Sequence, residues 1–191
     1  MILLFSIVLF SCNTTTKDLN KSHVVKKTNE KNEISNKQSL TEKILIENKI
    51  KHAFSNPDKL DLFQVYLKGE SILKSKLVFV ITNYNGVVLL KEEYSSIDLI
   101  GYGLDNNASN KVQEEFIKKR IAEFFKEDNF SKPAIKFDSE FESNYSEKNV
   151  WDDIKSDQTA IGFDYLIGEE DGRSIAYSKK FKKVVEFYGC C

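Results

Sequence analysis

The chain has 191 residues, of which 41% are hydrophobic and 30% charged, so it is long enough for one domain with appendages. Its formal net charge of -1 provides no overall field that would attract a polyanion, which argues against nucleic-acid binding. Three cysteines, at positions 12, 190 and 191, are too few for a disulfide-stabilised scaffold.

The N-terminus begins with a short apolar segment. Residues 2–10 are apolar except for Ser6, and a small residue and a cysteine follow. A membrane-spanning helix needs about 20 apolar residues, so this segment is too short to span a bilayer. Its length is typical of the hydrophobic region of a secretory signal.

The end of that segment, Leu9-Phe10-Ser11-Cys12, resembles the lipobox of bacterial lipoproteins. The resemblance implies a signal peptide over residues 1–11, cleavage before Cys12, and fatty acyl chains on that cysteine as a membrane anchor. Phe10 and the lack of Lys or Arg before the apolar segment differ from the usual pattern. Asn13 after the cysteine favours the outer membrane, and the domain would face either the periplasm or the exterior.

Residues 12–39 follow as a polar tether. Between positions 13 and 39 the chain is mostly Asn, Thr, Lys, Ser and Glu. Such a composition cannot bury enough apolar surface to offset the entropy of ordering, so we predict a disordered spacer between Cys12 and the domain.

Residues 40–191 are predicted to form a single domain, whose first half begins with a helix. Apolar residues at helical spacing predict this helix over residues 40–54, with Thr41 as its cap. Alternation predicts a strand around residues 63–67. Continuous apolar residues on both sides of Asn85-Gly86 predict a hairpin over Leu77–Tyr94 with a type I′ turn.

The second half continues with the strongest amphipathic helix, from the capping residue Asn110 to about Asp128. A short helix is predicted after Ser146, and strict alternation predicts a strand over residues 161–167. Asp171-Gly172 is then expected to turn the chain into an extended segment over residues 174–188. These elements predict an α+β fold: a largely antiparallel sheet with one main amphipathic helix packed on a face.

Residues suited to catalysis are scarce. Histidine, the usual general base near neutral pH, occurs only at His23 and His52, which also argues against His-based metal sites. Acidic clusters match no calcium-binding loop and are best interpreted as solvated loops. We therefore predict no catalytic set, metal site or cofactor. The acidic clusters are Asp138, Glu140 and Glu142; Asp152 and Asp153; and Glu169, Glu170 and Asp171.

Two features near the C-terminus remain as candidate sites. One is a group of lysines around Phe181, which has two interpretations: a basic ridge for an anionic partner such as a lipid phosphate, or a charged edge or loop that favours solubility. A bend or bulge is expected there. The other is Cys190 and Cys191, which could form a disulfide with each other or between molecules. The lysines are Lys179, Lys180, Lys182 and Lys183.

The main functional hypothesis is a non-catalytic, lipid-anchored protein of the cell envelope. Its partners would be the membrane, through acyl chains on Cys12, and a protein of the envelope. One alternative is an inhibitor or immunity-type protein that neutralises a toxin or hydrolase. The other is a hydrolase that uses carboxylates to cleave glycan or peptide.

Overall fold

The computed structural model describes residues 43–101, 104–105 and 107–190, so the predicted signal peptide and tether lie outside the described part. The first sheet is antiparallel, with its strands in the order β1-β2-β3-β4. Alternate side chains of the two central strands point inward and are fully buried, among them Phe63 and Phe79. The strands are β1 (Ile44–Ala53), β2 (Leu60–Gly69), β3 (Ser75–Thr82) and β4 (Val88–Ser95).

The predicted helix over residues 40–54 is wrong, because residues 44–53 form β1 and pair with β2. Ile46 and Ile50 are four residues apart, a spacing that places two side chains on one face of a helix and also on one face of a strand. Asn48, between them, also faces inward, and its side-chain amide donates to the carbonyl of Ile121 (2.8 Å). Pairing with the next strand along the chain therefore decided an ambiguous pattern.

The predicted hairpin over Leu77–Tyr94 is confirmed, since β3 pairs antiparallel with β4. Its turn is not type I′, which needs positive φ at both central residues. The Asn83 side chain instead accepts hydrogen bonds from the backbone N–H groups of Asn85 and Val87 (2.9 Å each), and the positive φ (82°) belongs to Gly86. The Asn83 side chain thus organises the turn.

The second sheet is also antiparallel, in the order β5-β6-β7-β8, and it confirms the predicted strand over residues 161–167. The turn expected at Asp171-Gly172 lies instead at residues 168–170, with Gly168 at a φ of 84°. The bend expected at the lysines is a complete hairpin turn over residues 179–182. The strands are β5 (Phe130–Ser131), β6 (Gly162–Ile167), β7 (Asp171–Ser178) and β8 (Lys183–Cys190).

The described residues also form two α-helices, α1 (Asn110–Ala122) and α2 (Lys148–Ser156), and three short 3-10 helices at Ile72–Lys74, Ser96–Leu99 and Glu127–Asn129. Ser109, rather than Asn110, caps α1 by accepting the N–H of Val112 (3.5 Å). The helix ends before the predicted Asp128, although Phe124 beyond it is still buried. The short helix predicted after Ser146 is confirmed as α2.

The two sheets face each other across one aromatic core. The Phe163 ring of the second sheet lies 5.3 Å from that of Phe63 and 5.8 Å from that of Phe79. Helix α1 adds Ile117 and Ile121 to this core. The α+β class with antiparallel strands is therefore confirmed, but the single sheet is wrong, because the strands divide into two packed sheets.

Helix α2 packs elsewhere, on the outer face of the second sheet. Its buried residues Trp151 and Ile154 join a separate apolar cluster with Ala176, Val185 and Phe187 of β7 and β8. The sequence predicted one main helix packed on one face of a sheet. The structure instead has α1 in the core between the sheets and α2 on the outer face of the second sheet. Because α2 has nine residues, it leaves part of this outer face uncovered.

Candidate binding groove

The uncovered part of the second sheet carries two adjoining depressions, which share Asp164, Ser174 and Tyr188. One has a volume of about 400 Å³ and extends to the C-terminal end of α1. The other has a volume of about 360 Å³ and extends to Trp151. We call the combined depression the outer groove.

The strand pattern explains the floor of the outer groove. In β6, Phe163 and Tyr165 point into the core, so the alternate residues Asp164 and Leu166 point outward. Gly172 of β7 lies opposite Leu166 and has no side chain to fill the space beside it. The floor is therefore mixed in character, with a carboxylate, an apolar side chain and exposed backbone close together.

Arg120 forms part of the wall of the outer groove. Its Nη2 atom donates to the carbonyl oxygen of Leu166 at 2.7 Å, and burial lowers the pKa of its guanidinium. The chain has only two arginines among its 28 basic residues, Arg120 and Arg173, and both line this groove. A guanidinium presents several donors in one plane, so it can hold a carbonyl or carboxylate and still contact a neighbour.

The edge of β6 beside this wall is open beyond Phe163, in the sense that no described strand pairs with it there. The short strand β5 pairs with Gly162 and Phe163 only, while β7 pairs with the whole opposite edge of β6. Leu166 directs its carbonyl to the open edge, where Arg120 meets it. Since alternate residues of a strand direct their N–H and C=O groups to the same edge, Asp164 does so as well. The groove therefore runs along strand backbone that can accept another extended segment.

A polar cluster, which we call the seam, lies on the inner side of the same strands and joins the two sheets. Tyr165 donates its hydroxyl to Glu92 Oε2 (2.8 Å), and Tyr94 donates to the same oxygen (2.6 Å). Arg173 Nη1 donates to the Tyr94 hydroxyl (3.0 Å). Burial, with the Glu92 carboxylate, raises the pKa of both tyrosines, so both stay protonated as donors.

Arg173 connects the seam to the outer groove. Its Nε and Nη2 atoms donate to the two carboxylate oxygens of Asp171 at 2.8 and 3.0 Å, and this hydrogen bonding raises the pKa of the guanidinium. Its guanidinium carbon also lies 5.6 Å from the centre of the Tyr94 ring. With these contacts Arg173 has little conformational freedom, so it is a rigid part of the groove lining.

Glu186 of β8 is a partly buried carboxylate beside the seam. Burial raises its pKa, and this outweighs the opposing effect of Arg173, whose Nε lies 4.0 Å from Oε2. Gly189 makes room for it, since a Cβ there would come within 2.1 Å of Glu186 Oε1. A hydrolase would need a second carboxylate free to converge with Glu186. The neighbouring Glu92 is instead held by two tyrosine hydroxyls.

The candidate sites from the sequence lie apart from the outer groove or outside the described residues. Cys12 and Cys191 are outside them. Cys190 is disulfide-bonded and lies at the end of β8, opposite Gly172. Lys179 forms an ion pair with Asp157 (2.8 Å). The other three lysines are exposed around the hairpin turn. The anion-binding interpretation of these lysines stays a prediction, as does the disulfide pairing.

His52 and the acidic pair Asp152 and Asp153, noted in the sequence, make packing or surface contacts. His52 stacks on Phe130, with ring centres 3.8 Å apart. Asp152 pairs with Lys148, and Asp153 accepts a hydrogen bond from Ser178. Within the described residues, no group of three or more His, Cys, Asp or Glu side chains is placed to hold a metal ion. The helices described here are all too short or too polar to cross a bilayer.

Sequence reasoning missed the groove because its lining comes from separate segments. One signal was present, namely that only two of the 28 basic residues are arginine. Arginine is preferred where a cation must be partly buried and bonded to several acceptors, so Arg120 and Arg173 could have been singled out.

Comparison with known proteins adds no relative. No protein-family model matches the chain, and no curated protein or solved structure is significantly similar to it.

Proposed function

We propose that acyl chains on Cys12 anchor this protein at the outer membrane of the cell envelope. We further propose that its domain is a non-catalytic binding module, which holds an extended segment of an envelope protein in the outer groove. The resemblance of Leu9–Cys12 to a lipobox supports the anchor. The open edge of β6, which forms one side of the outer groove, carries the binding proposal.

An extended polypeptide suits this groove chemically. Its backbone offers donors and acceptors at the spacing of Asp164 and Leu166, as in recognition by strand addition. Leu166 is 36% exposed and provides an apolar contact for one side chain of the segment. Arg120 and Lys126 lie near Glu123 and Asp164, so the lining carries both signs of charge and suits a neutral backbone better than a polyanion.

The binding role also agrees with how the carboxylates around the groove are used. Glu92 is hydrogen-bonded to Tyr94 and Tyr165, and Asp171 is held by both donor atoms of Arg173. These interactions stiffen the sheet under the groove. A pre-organised surface lowers the entropic cost of binding.

Photocrosslinking in cells tests the binding proposal. A photoreactive phenylalanine analogue replaces Leu166 in the groove, and in a control chain it replaces Gln64, which points outward from the first sheet. We expect a discrete adduct with one envelope protein from position 166 and not from position 64. The same adducts from both positions, or none from position 166, would contradict the proposal. A toxin or hydrolase as the adduct would select the inhibitor alternative.

Mass spectrometry of the mature protein tests the anchor. We expect Cys12 as the N-terminal residue, carrying fatty acyl groups. An N-terminus at Met1, or an unmodified Cys12, would overturn this part of the proposal.

A further inference from the structure

The outer face of the first sheet is unusually basic. Strand register places two rows of residues across it, Lys49-Gln64-Val80-Lys91 and Glu47-Tyr66-Val78-Glu93. Three more lysines point to the same side from the flanking rows. In cross-strand register, Lys51 pairs with Leu62, Lys68 with Ile44, and Lys76 with Ser95. We call this surface the basic face. Its charged residues are Lys49, Lys51, Lys68, Lys76, Lys91, Glu47 and Glu93.

Within the described residues, no α-helix packs on the basic face: α1 lies in the inter-sheet core and α2 on the second sheet. Val78, in the middle of the face, is 0% exposed and lies between Tyr66 and Glu93 in its row. Long lysine side chains can keep their ammonium groups in water while their aliphatic stems lie along such a surface. Lys76 and Lys91 keep 58% and 53% of their side chains exposed.

By count, the face carries five lysines and two glutamates. Lys49 pairs with Glu47 at 2.9 Å. Lys91 lies 2.9 Å from Glu93, and Lys68 and Lys76 lie 3.7 and 4.0 Å from the same carboxylate. The domain from Leu40 onward has 22 basic and 26 acidic residues, so the rest of its surface is acidic. This asymmetry would orient the domain towards an anionic surface.

The chain that precedes this face leads to the expected anchor. β1 is an edge strand of the first sheet and begins at Ile44, so the 42 residues before the described part, which include Cys12, join the domain at this sheet. Acyl chains combined with a basic patch form a recognised two-part attachment to membranes. We propose that the basic face docks on anionic lipid headgroups of the membrane that holds Cys12; this rests on the proposed anchor. The outer groove, on the opposite sheet, then faces away from the membrane towards its partner.

Vesicle binding of the unlipidated chain tests this proposal. Residues 12–191 with Cys12→Ser are mixed with vesicles of phosphatidylcholine alone or with about 30% phosphatidylglycerol, a composition chosen for the test. The first variant carries Lys49→Gln, Lys76→Gln and Lys91→Gln. The matched control carries Lys180→Gln, Lys182→Gln and Lys183→Gln in the hairpin turn, which removes the same charge and leaves the tether intact. Melting curves check that each chain is folded.

We expect the parent chain to bind the anionic vesicles and to be released by salt. The basic-face variant should partition about 100-fold less, because each lysine near an anionic surface contributes roughly fivefold, while the hairpin variant should lose less than about fivefold. A milder variant, Lys51→Gln with Lys76→Gln, keeps the Lys91–Glu93 pair and should lose about 25-fold if the triple variant does not fold.

Three outcomes would overturn the docking. They are equal losses in the two triple variants, a larger loss in the hairpin variant, and no preference of the parent chain for anionic vesicles. Because the tested chain has no acyl group, none of these results depends on whether Cys12 is lipidated in cells. Failure of the anchor would be seen separately by mass spectrometry.

Discussion

The outer faces of the two sheets differ in the residues that they expose and in what packs on them. On the first sheet, Val78 is buried although no described α-helix packs on it, and Lys76 and Lys91 beside it keep more than half of their side chains exposed. On the second sheet, the outward residues include Ala176, Val185 and Phe187, and α2 covers them with Trp151. Within the described residues, the first face is therefore basic and has no helix on it, whereas the second is apolar under a helix and concave beside it. The same kind of antiparallel sheet thus gives a charged surface in one case and a shaped surface in the other.

The largest expected effect concerns the core that joins the two faces. Phe163→Ala removes a fully buried ring that contacts rings of both sheets, so the free energy of unfolding should fall by about 3–5 kcal/mol. Urea denaturation followed by circular dichroism measures this. Phe137→Ala, at a ring 84% exposed, is the control and should change stability by less than about 0.5 kcal/mol. Similar values for the two variants would refute the packing of one sheet on the other.

The next prediction compares the covered face with the uncovered one. Trp151→Ala removes the main contact of α2 and should cost about 3 kcal/mol, because Trp151 is 7% exposed. Tyr66→Ala on the basic face should cost about 1 kcal/mol, because Tyr66 points to solvent from a sheet that remains intact. Thermal and urea unfolding of both variants provide the measurement. Equal costs would show that the two faces do not differ in this way.

A smaller effect separates the ionic cluster of the seam from that of the basic face. Arg173→Lys keeps the charge but cannot hold Asp171 and Tyr94 together, so we expect a loss of about 1–2 kcal/mol. Lys91→Gln removes an exposed partner of Glu93 and should cost less than about 1 kcal/mol. Urea unfolding at low and high salt measures both. A cost for Lys91→Gln equal to that for Arg173→Lys would contradict this ranking.

The smallest expected effect is on pH dependence, where Glu186, beside the seam, and Glu93, on the basic face, should differ in sign. Burial raises the pKa of Glu186, so its ionisation destabilises the fold as pH rises above 4.5 and through the raised pKa. The hydrogen bond from Lys91, with the charge of Lys68, lowers the pKa of Glu93. The stability that Glu93 contributes is present above pH 4.5 and is lost as pH falls through the lowered pKa.

NMR titration of the side-chain carboxyl carbons should place the midpoint of Glu186 above 4.5 and that of Glu93 below it. As pH rises through 4.5, Glu186→Gln should gain stability relative to the parent chain and Glu93→Gln should lose it. Midpoints in the reverse order would contradict the described surroundings of both carboxylates.

Helices and strands could be predicted from the sequence where the spacing of apolar residues fits only one of the two. The hairpin over Leu77–Tyr94 and the strand over residues 161–167 have apolar patterns that suit a strand, and α2 has Trp151 and Ile154 at helical spacing. The segment that became β1 could not be resolved, because the four-residue spacing of Ile46 and Ile50 fits a helix and a strand equally. Only pairing with β2 removes that ambiguity.

The functional surfaces depend even more on tertiary structure. Arg120 and Tyr188 line one groove although 68 positions separate them in the sequence. Tyr165 and Glu92 meet in the seam because two sheets pack together. The basic face arises from register, which brings Lys68, Lys76 and Lys91 around one carboxylate from three different strands. No local sequence pattern shows that these residues meet in the folded chain.

The sequence by itself determined the lipobox resemblance at Cys12, the polar composition up to residue 39, and the α+β class of the domain over residues 40–191. These properties depend on neighbouring residues, which interact whatever the rest of the chain does. Tertiary structure alone decided that the strands form two sheets, that α2 covers one outer face, and that the other stays basic. Those outcomes depend on strand register and sheet packing, which bring together residues that are distant along the chain.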